Sequence, residues 1–291
     1  MDLFYIYFTF LNFLAHLCAF IPYRDKTILY NLNLIGIKKK EQSEIKFKCR
    51  KLFYLNALIA LHQRYLINTD LLAKYYSDFP DFEPPAAFKE DIRQNKVIIV
   101  MPHFGIFYDF SSINYLTDYS LALVYKVVHV WIKDIIFSSQ AYKNKIIPLY
   151  LRNYKQYLRN LKNEVDNAET KIINKCDAIV VLCDQKGGRV PVDYLGQSVL
   201  WHSSPADIHK HTKRAMWVYL CPYDFEKQQF RPTFIPVERH YNAETSIADI
   251  SQKIADIFTK AIKAQPEQYF WLHNRFRINE PDLNRFDKIY S

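Results

Sequence analysis

A chain of 291 residues, 49% of them hydrophobic and 24% charged, carries enough apolar material for a sizeable core and does not have the composition of a disordered segment. Only 5 glycines are present, and neither a GxGxxG pattern nor a Walker loop occurs, which excludes the common nucleotide-binding motifs. The net charge of +9 together with 16% aromatic residues suits an anionic partner. No dense basic arm, RNP, helix-turn-helix or zinc-finger pattern appears, so an anionic membrane surface is favoured and nucleic acid is not.

The first element is Leu3 to Ile21, apolar except for Thr9, Asn12 and His16, and followed by Pro22-Tyr23-Arg24. Its length fits a membrane span, its polar interruptions fit a helix lying at the interface, and a buried core helix is a third reading. It lacks a basic leader and a small-residue cleavage site, so it does not read as a cleaved signal peptide. Arg24, Lys26 and Lys38-Lys39-Lys40 follow as a positive flank suited to the cytoplasmic leaflet. The expected organisation is therefore an anchoring or interfacial helix over 1–22 and a catalytic domain over 23–291. A helix is predicted from about Glu41 to Tyr76, with Phe53, Ala57, Ala60 and Leu61 at helical spacing. Phe79 to Pro85, with three prolines, breaks it.

Val97 to Met101 is a short β-branched apolar run that reads as a buried strand. It ends at Pro102 and delivers His103 to a turn, where open α/β sheets usually place ligands. Asp109 follows six residues later. A carboxylate that fixes the tautomer of a histidine prepares it to take a proton from an alcohol. A strand cap and a solvated loop carboxylate are the plainer reading of the same two residues.

Further strands are predicted at Leu121–Val130, Ala178–Cys183, near 215 and at Phe230–Arg239. Helices are predicted from Tyr154 to about Lys175, with Leu158 and Leu161 inward, and over Ile247–Ala264. Strands separated by helices indicate an α/β fold with a central mixed sheet covered by helices. Cys18, Cys49, Cys176, Cys183 and Cys221 are scattered and odd in number, without a CxxC pair, and read as core or free thiols. His202, His209 and His211 do not share one helical face and read as surface histidines, not as metal ligands.

The ordered blocks resemble the lipid A late acyltransferases, the lauroyl and myristoyl transferases of bacterial endotoxin. HFGIFYD at 103–109 is similar to the family's His-x-x-x-x-Asp/Glu block; Tyr108 stands at the place of the family acid, and Asp109 comes one residue later. On a regular helix offsets of five and six residues correspond to roughly 140° and 240°, so His103 must lie on the turn before it for Asp109 to serve. YRDKTILYNLNLIG at 23–36 resembles the Tyr-Arg turn and Asn-Leu-rich helix. Tyr125-Lys126 stands where the family has Tyr-Arg, and FSSQAYKNKIIPLY offers Lys143 and Lys145 in place of an arginine. Asp184-Gln185, Tyr194-Leu195-Gly196 and Ser204-Pro205-Ala206 match later blocks, and PEQYFWLHNRFR at 266–277 resembles the family's close.

The resemblance implies a glycerolipid-acyltransferase-like fold and transfer of a fatty acyl chain, without metal or cofactor. His103 is the implied base, with Asp109 orienting it. Lys126 is assigned to phosphate and Tyr125 to the same acceptor region, while Asp184 and Gln185 shape the acceptor pocket or orient the catalytic loop. The implied donor is an acyl carrier protein thioester. The acceptor is a lipid A precursor at the cytoplasmic face of the inner membrane, with another glycolipid, an ornithine lipid or an aryl polyene as alternative acceptors. A non-catalytic lipid-binding protein of the same fold is the alternative of a different class.

Overall fold

In the computed structural model the described residues are 3–65, 83–94, 96–107, 119–125, 146–163, 167–184, 188–240 and 242–276. Their centre is a six-stranded sheet of β1 (Val97–Met101), β2 (Leu121–Tyr125), β3 (Ile146–Tyr150), β4 (Ala178–Leu182), β7 (Ala215–Leu220) and β10 (Thr233–Glu238). The strand order is β10-β7-β1-β4-β2-β3. All neighbours are parallel except β10, which runs antiparallel to β7. This is the mixed sheet flanked by helices that the sequence predicts. The four inner strands are apolar runs because both faces of the sheet are covered.

Alternation along the strands feeds two cores. Ile98, Val100, Ile179, Val181 and Met216 pack on one face, with residues of α2 (Asp25–Leu34) and α8 (Ile247–Ala264). Val97, Ile99, Val180 and Trp217 pack on the other, with residues of α1 (Leu3–Cys18), α3 (Lys39–Tyr65) and α4 (Ala86–Gln94). Asp91 of α4 joins the second layer to the sheet. It accepts from Trp217 Nε1 at 2.9 Å and from Arg239 Nε and Nη2 at 3.0 and 3.1 Å.

Helix α1 has two unlike faces. Phe8, Leu11, Asn12 and Ala15 are buried inward. Asn12, the polar interruption of an apolar run, donates to Phe8 O and accepts from the hydroxyl of Tyr223, so the helix is fastened to the body. The outward face carries Ile6, Phe10, Phe13 and Leu17, and the following turn adds Phe20 and Ile21, all exposed. Sixteen residues at a rise of about 1.5 Å fall short of a bilayer's hydrocarbon core. No helix among the described residues is long and apolar enough to cross a membrane.

Several boundaries differ from the sequence reading. Strand β2 is described to Tyr125, and α3 to Tyr65. The helix expected over Tyr154–Lys175 is two: α5 (Leu151–Lys162) and α6 (Ala168–Lys175), the second capped by Asn167, whose side chain accepts from Thr170 N–H. Strand β3 was not expected, because Pro148 sits within it. It occupies a sheet edge, where a residue without an N–H is tolerated. Tyr194-Leu195-Gly196 closes a hairpin of β5 (Val190–Tyr194) and β6 (Gln197–Trp201), with Leu195 and Gly196 both at positive φ. A short hairpin, β8 (Tyr223–Asp224) with β9 (Gln229–Phe230), precedes β10. The histidine reading needs correction at one position. His209 of α7 (Ser204–Thr212) is wholly buried, its Nδ1 2.7 Å from Arg214 O, and burial pushes its pKa down.

Candidate active site

Strands β1 and β4 are adjacent, parallel and in register, with Met101 opposite Leu182. Each chain then runs one residue past its strand and presents a polar side chain: VIIVM-Pro-His103 on one, AIVVL-Cys-Asp184 on the other. The register therefore brings His103 and Asp184 face to face at the carboxyl edge of the sheet. His103 Nδ1 lies 2.6 Å from Asp184 Oδ1, and the backbone N–H of His103 donates to Asp184 Oδ2 at 2.9 Å. One carboxylate thus holds both the ring and the backbone of the histidine.

The turn after His103 is held from several sides. Phe270 N–H donates to His103 O at 2.9 Å, Gly105 N–H to Gln268 O at 2.8 Å, and Ile106 N–H to Cys221 O at 2.9 Å. From α3, Asn56 donates to Gly105 O at 2.9 Å and accepts from Phe107 N–H at 3.1 Å. Gly105 has a φ of +63°, and a Cβ there would lie 1.9 Å from the carbonyl oxygen of Cys221, so glycine is required at this position. Asn31 donates to Trp271 O and His273 O, and Arg24 to Leu272 O, so the amino-terminal helices also seat the carboxyl-terminal segment that braces the turn.

Asp184 is 1% exposed, and burial pushes its pKa up. The charge of His103, the two hydrogen bonds from that residue and one involving the Tyr269 side chain outweigh burial and hold the carboxyl below its usual range. An ionised Asp184 fixes the proton on Nδ1 and leaves Nε2 as the basic nitrogen. His103 itself is 12% exposed at its side chain, and its ring meets Phe107 edge-on at 4.7 Å and Phe270 at 5.9 Å. The result is a base with an oriented tautomer at an aromatic-walled sheet edge, a suitable place for deprotonating an alcohol carried by an apolar molecule.

Residues 139–278 match the model of the bacterial lipid A biosynthesis acyltransferase family. By that match the chain is an acyltransferase. The stretch includes Asp184 and the brace around Gln268–Arg275, and it supports the resemblance read from the ordered sequence blocks; His103 precedes it. No curated protein matches the chain.

Of the acyltransferase's expected site residues, His103 and Asp184 are brought together, with the Asp184 carboxylate bonded to the ring and backbone of His103. The chain signal for this pairing is the matching offset of His and Asp from the ends of two buried strands. Asp109, Lys126 and Gln185 lie outside the described residues, as do Lys143 and Lys145. Tyr125 ends β2 beside β4, at the sheet edge that carries the pair. In the carboxyl-terminal segment Tyr269, Trp271 and Arg275 are buried, so this part packs inward; Arg275 lies 5.3 Å from the ring centres of both Tyr194 and Trp201. Among the described residues no group of three or more His, Cys, Asp or Glu is arranged to hold a metal ion.

Proposed function

We propose that this acyltransferase moves a fatty acyl chain from an acyl carrier protein thioester to a hydroxyl of a lipid A precursor. His103 is the general base and Asp184 its orienting carboxylate. Nε2 of His103 takes the proton of the acceptor hydroxyl as the oxygen attacks the thioester carbonyl carbon. The carbon–sulfur bond breaks, an ester forms, and the departing thiolate recovers the proton from the imidazolium. The observation that carries this reading is the 2.6 Å contact between His103 Nδ1 and buried Asp184, made in a chain matched to lipid A acyltransferases.

The cytoplasmic face of the inner membrane is the proposed place of action. Support comes from the exposed apolar face of α1 and the positive flank that follows it. The basic charge of the chain also suits an acidic carrier protein as donor. Lys126, next to Tyr125 in sequence, is assigned to acceptor phosphate.

Mass spectrometry of membrane lipids from a deletion strain tests the reading. Complementation by the wild type, and not by His103→Ala, is expected to restore a lipid A species heavier by one acyl chain. Unchanged lipid A with loss of another acylated lipid would replace the acceptor, and no lipid difference would remove the reaction.

A further inference from the structure

The exposed apolar face of α1 does not end in isolation. Its continuation, Tyr23, is exposed and stacks on Phe53 of α3 with ring centres 5.5 Å apart and an interplanar angle of 18°. Phe53 meets Phe270 at 5.8 Å, and Phe270 meets His103 at 5.9 Å. Phe107 closes the far end, 5.8 Å from Phe270 and 4.7 Å from His103. Three ring-to-ring steps therefore lead from the apolar surface patch to the catalytic imidazole.

Phe53 and Phe270 pack against the core without being enclosed by it. The large aromatics of the core, Trp201, Trp217 and Trp271, are 1% exposed or less, whereas Phe53 and Phe270 remain partly open to solvent. An aromatic row left partly open offers low-polarity surface to a flexible chain. The row is also tied to the reacting group, since the backbone of Phe270 is bonded to the carbonyl of His103.

We propose that Tyr23, Phe53 and Phe270 form a track for a hydrocarbon chain of the acceptor lipid. The chain leaves a bilayer that the α1 face rests on, lies along the three rings, and brings the lipid's hydroxyl to His103. The inference rests on the acyl-transfer reading and names a binding surface for it. The acceptor is the assigned occupant because the row opens at the apolar patch, the surface fitted to a membrane, whereas a carrier-borne acyl chain arrives from water.

Photo-crosslinking tests the track without needing turnover. Vesicles of phosphatidylethanolamine and phosphatidylglycerol, doped with a phospholipid carrying a diazirine in its acyl chain, are mixed with the full chain and irradiated, and labelled peptides are mapped. The expected result is label on the peptides holding Phe53 and Phe270, in the wild type and in His103→Ala alike. Phe53→Asp is expected to lower that label at least tenfold while label on α1 persists, and Phe53→Leu to retain it; circular dichroism of both variants confirms the fold. Label confined to α1, or track label indifferent to Phe53→Asp, overturns the proposal. Stronger track label from a diazirine acyl chain borne by acyl carrier protein than from vesicles also overturns it. A labelled track in a protein without transferase activity would refute the reaction and uphold the track; transfer without track label would do the reverse.

Discussion

Replacing Asp184 by Asn keeps the side chain's volume and removes the charge that fixes the His103 tautomer. The expected outcome is a fall in kcat of about 10²–10⁴-fold with unchanged circular dichroism, read in a transfer assay. The pH dependence has a definite sign. Asp184 is held below the usual carboxylate range in the folded protein, so its contribution to stability is complete above the unfolded carboxyl's pKa, about 3.9, and is lost as pH falls through the lower folded value. Acid unfolding followed by fluorescence is expected to show a shallower loss of stability below about pH 4 in Asp184→Asn than in the wild type. Cysteine chemistry gives a separate check. Burial pushes the Cys49 thiol up to about 12, and Cys183 well above its ordinary value, while Cys18 is partly exposed. Alkylation at pH 8 in native buffer is therefore expected to mark Cys18 and to spare Cys49 and Cys183 until denaturant is added.

Among the elements, α3 supports the catalytic turn through one residue. Asn56→Leu would remove the hydrogen bonds to Gly105 O and from Phe107 N–H in a buried place, at a cost of about 1–3 kcal/mol for each bond lost. A lowered denaturation midpoint together with a lower kcat is expected; a change in neither would contradict the brace. The sheet strands that carry the pair were legible in sequence because their apolar runs are short and β-branched, and α8 was legible as an amphipathic run over Ile247–Ala264; in the structure Ser246 and Asp249 form a capping box at its start. Pro148 concealed β3, since a proline argues against a strand until its place at an edge is known. Asn167 was a readable stop between α5 and α6. The role of Asp184 was harder to read: a link between residues 81 apart depends on which strands are neighbours, and only the β1–β4 pairing supplies that.

Across the whole molecule, the amino-terminal helices and the carboxyl-terminal segment close on the same turn from opposite ends of the chain. Asn31, Arg24 and Cys49 all bond to carbonyls between Tyr269 and His273. The closing aromatic segment packs inward, with Tyr269 and Trp271 serving as core side chains beneath the site. Away from the site, Asp91 joins α4 to the sheet and to Arg239. Asp91→Ala would leave the buried Trp217 indole N–H without this partner, a loss of about 1–3 kcal/mol, and would take one carboxylate from the partly exposed Arg239 side chain. Thermal unfolding is expected to show a clearly lower Tm without a change in the KM of the folded enzyme.

The most direct test of the central claim is a transfer assay with purified protein, an acyl carrier protein thioester and an under-acylated lipid A precursor, followed by mass spectrometry of the lipid. The account predicts a product heavier by one ester-linked acyl chain with the wild type, a loss of about 10²–10⁴-fold in rate with Asp184→Asn, and no product above background with His103→Ala. Equal product from the wild type and His103→Ala would contradict the assignment of this histidine as the base.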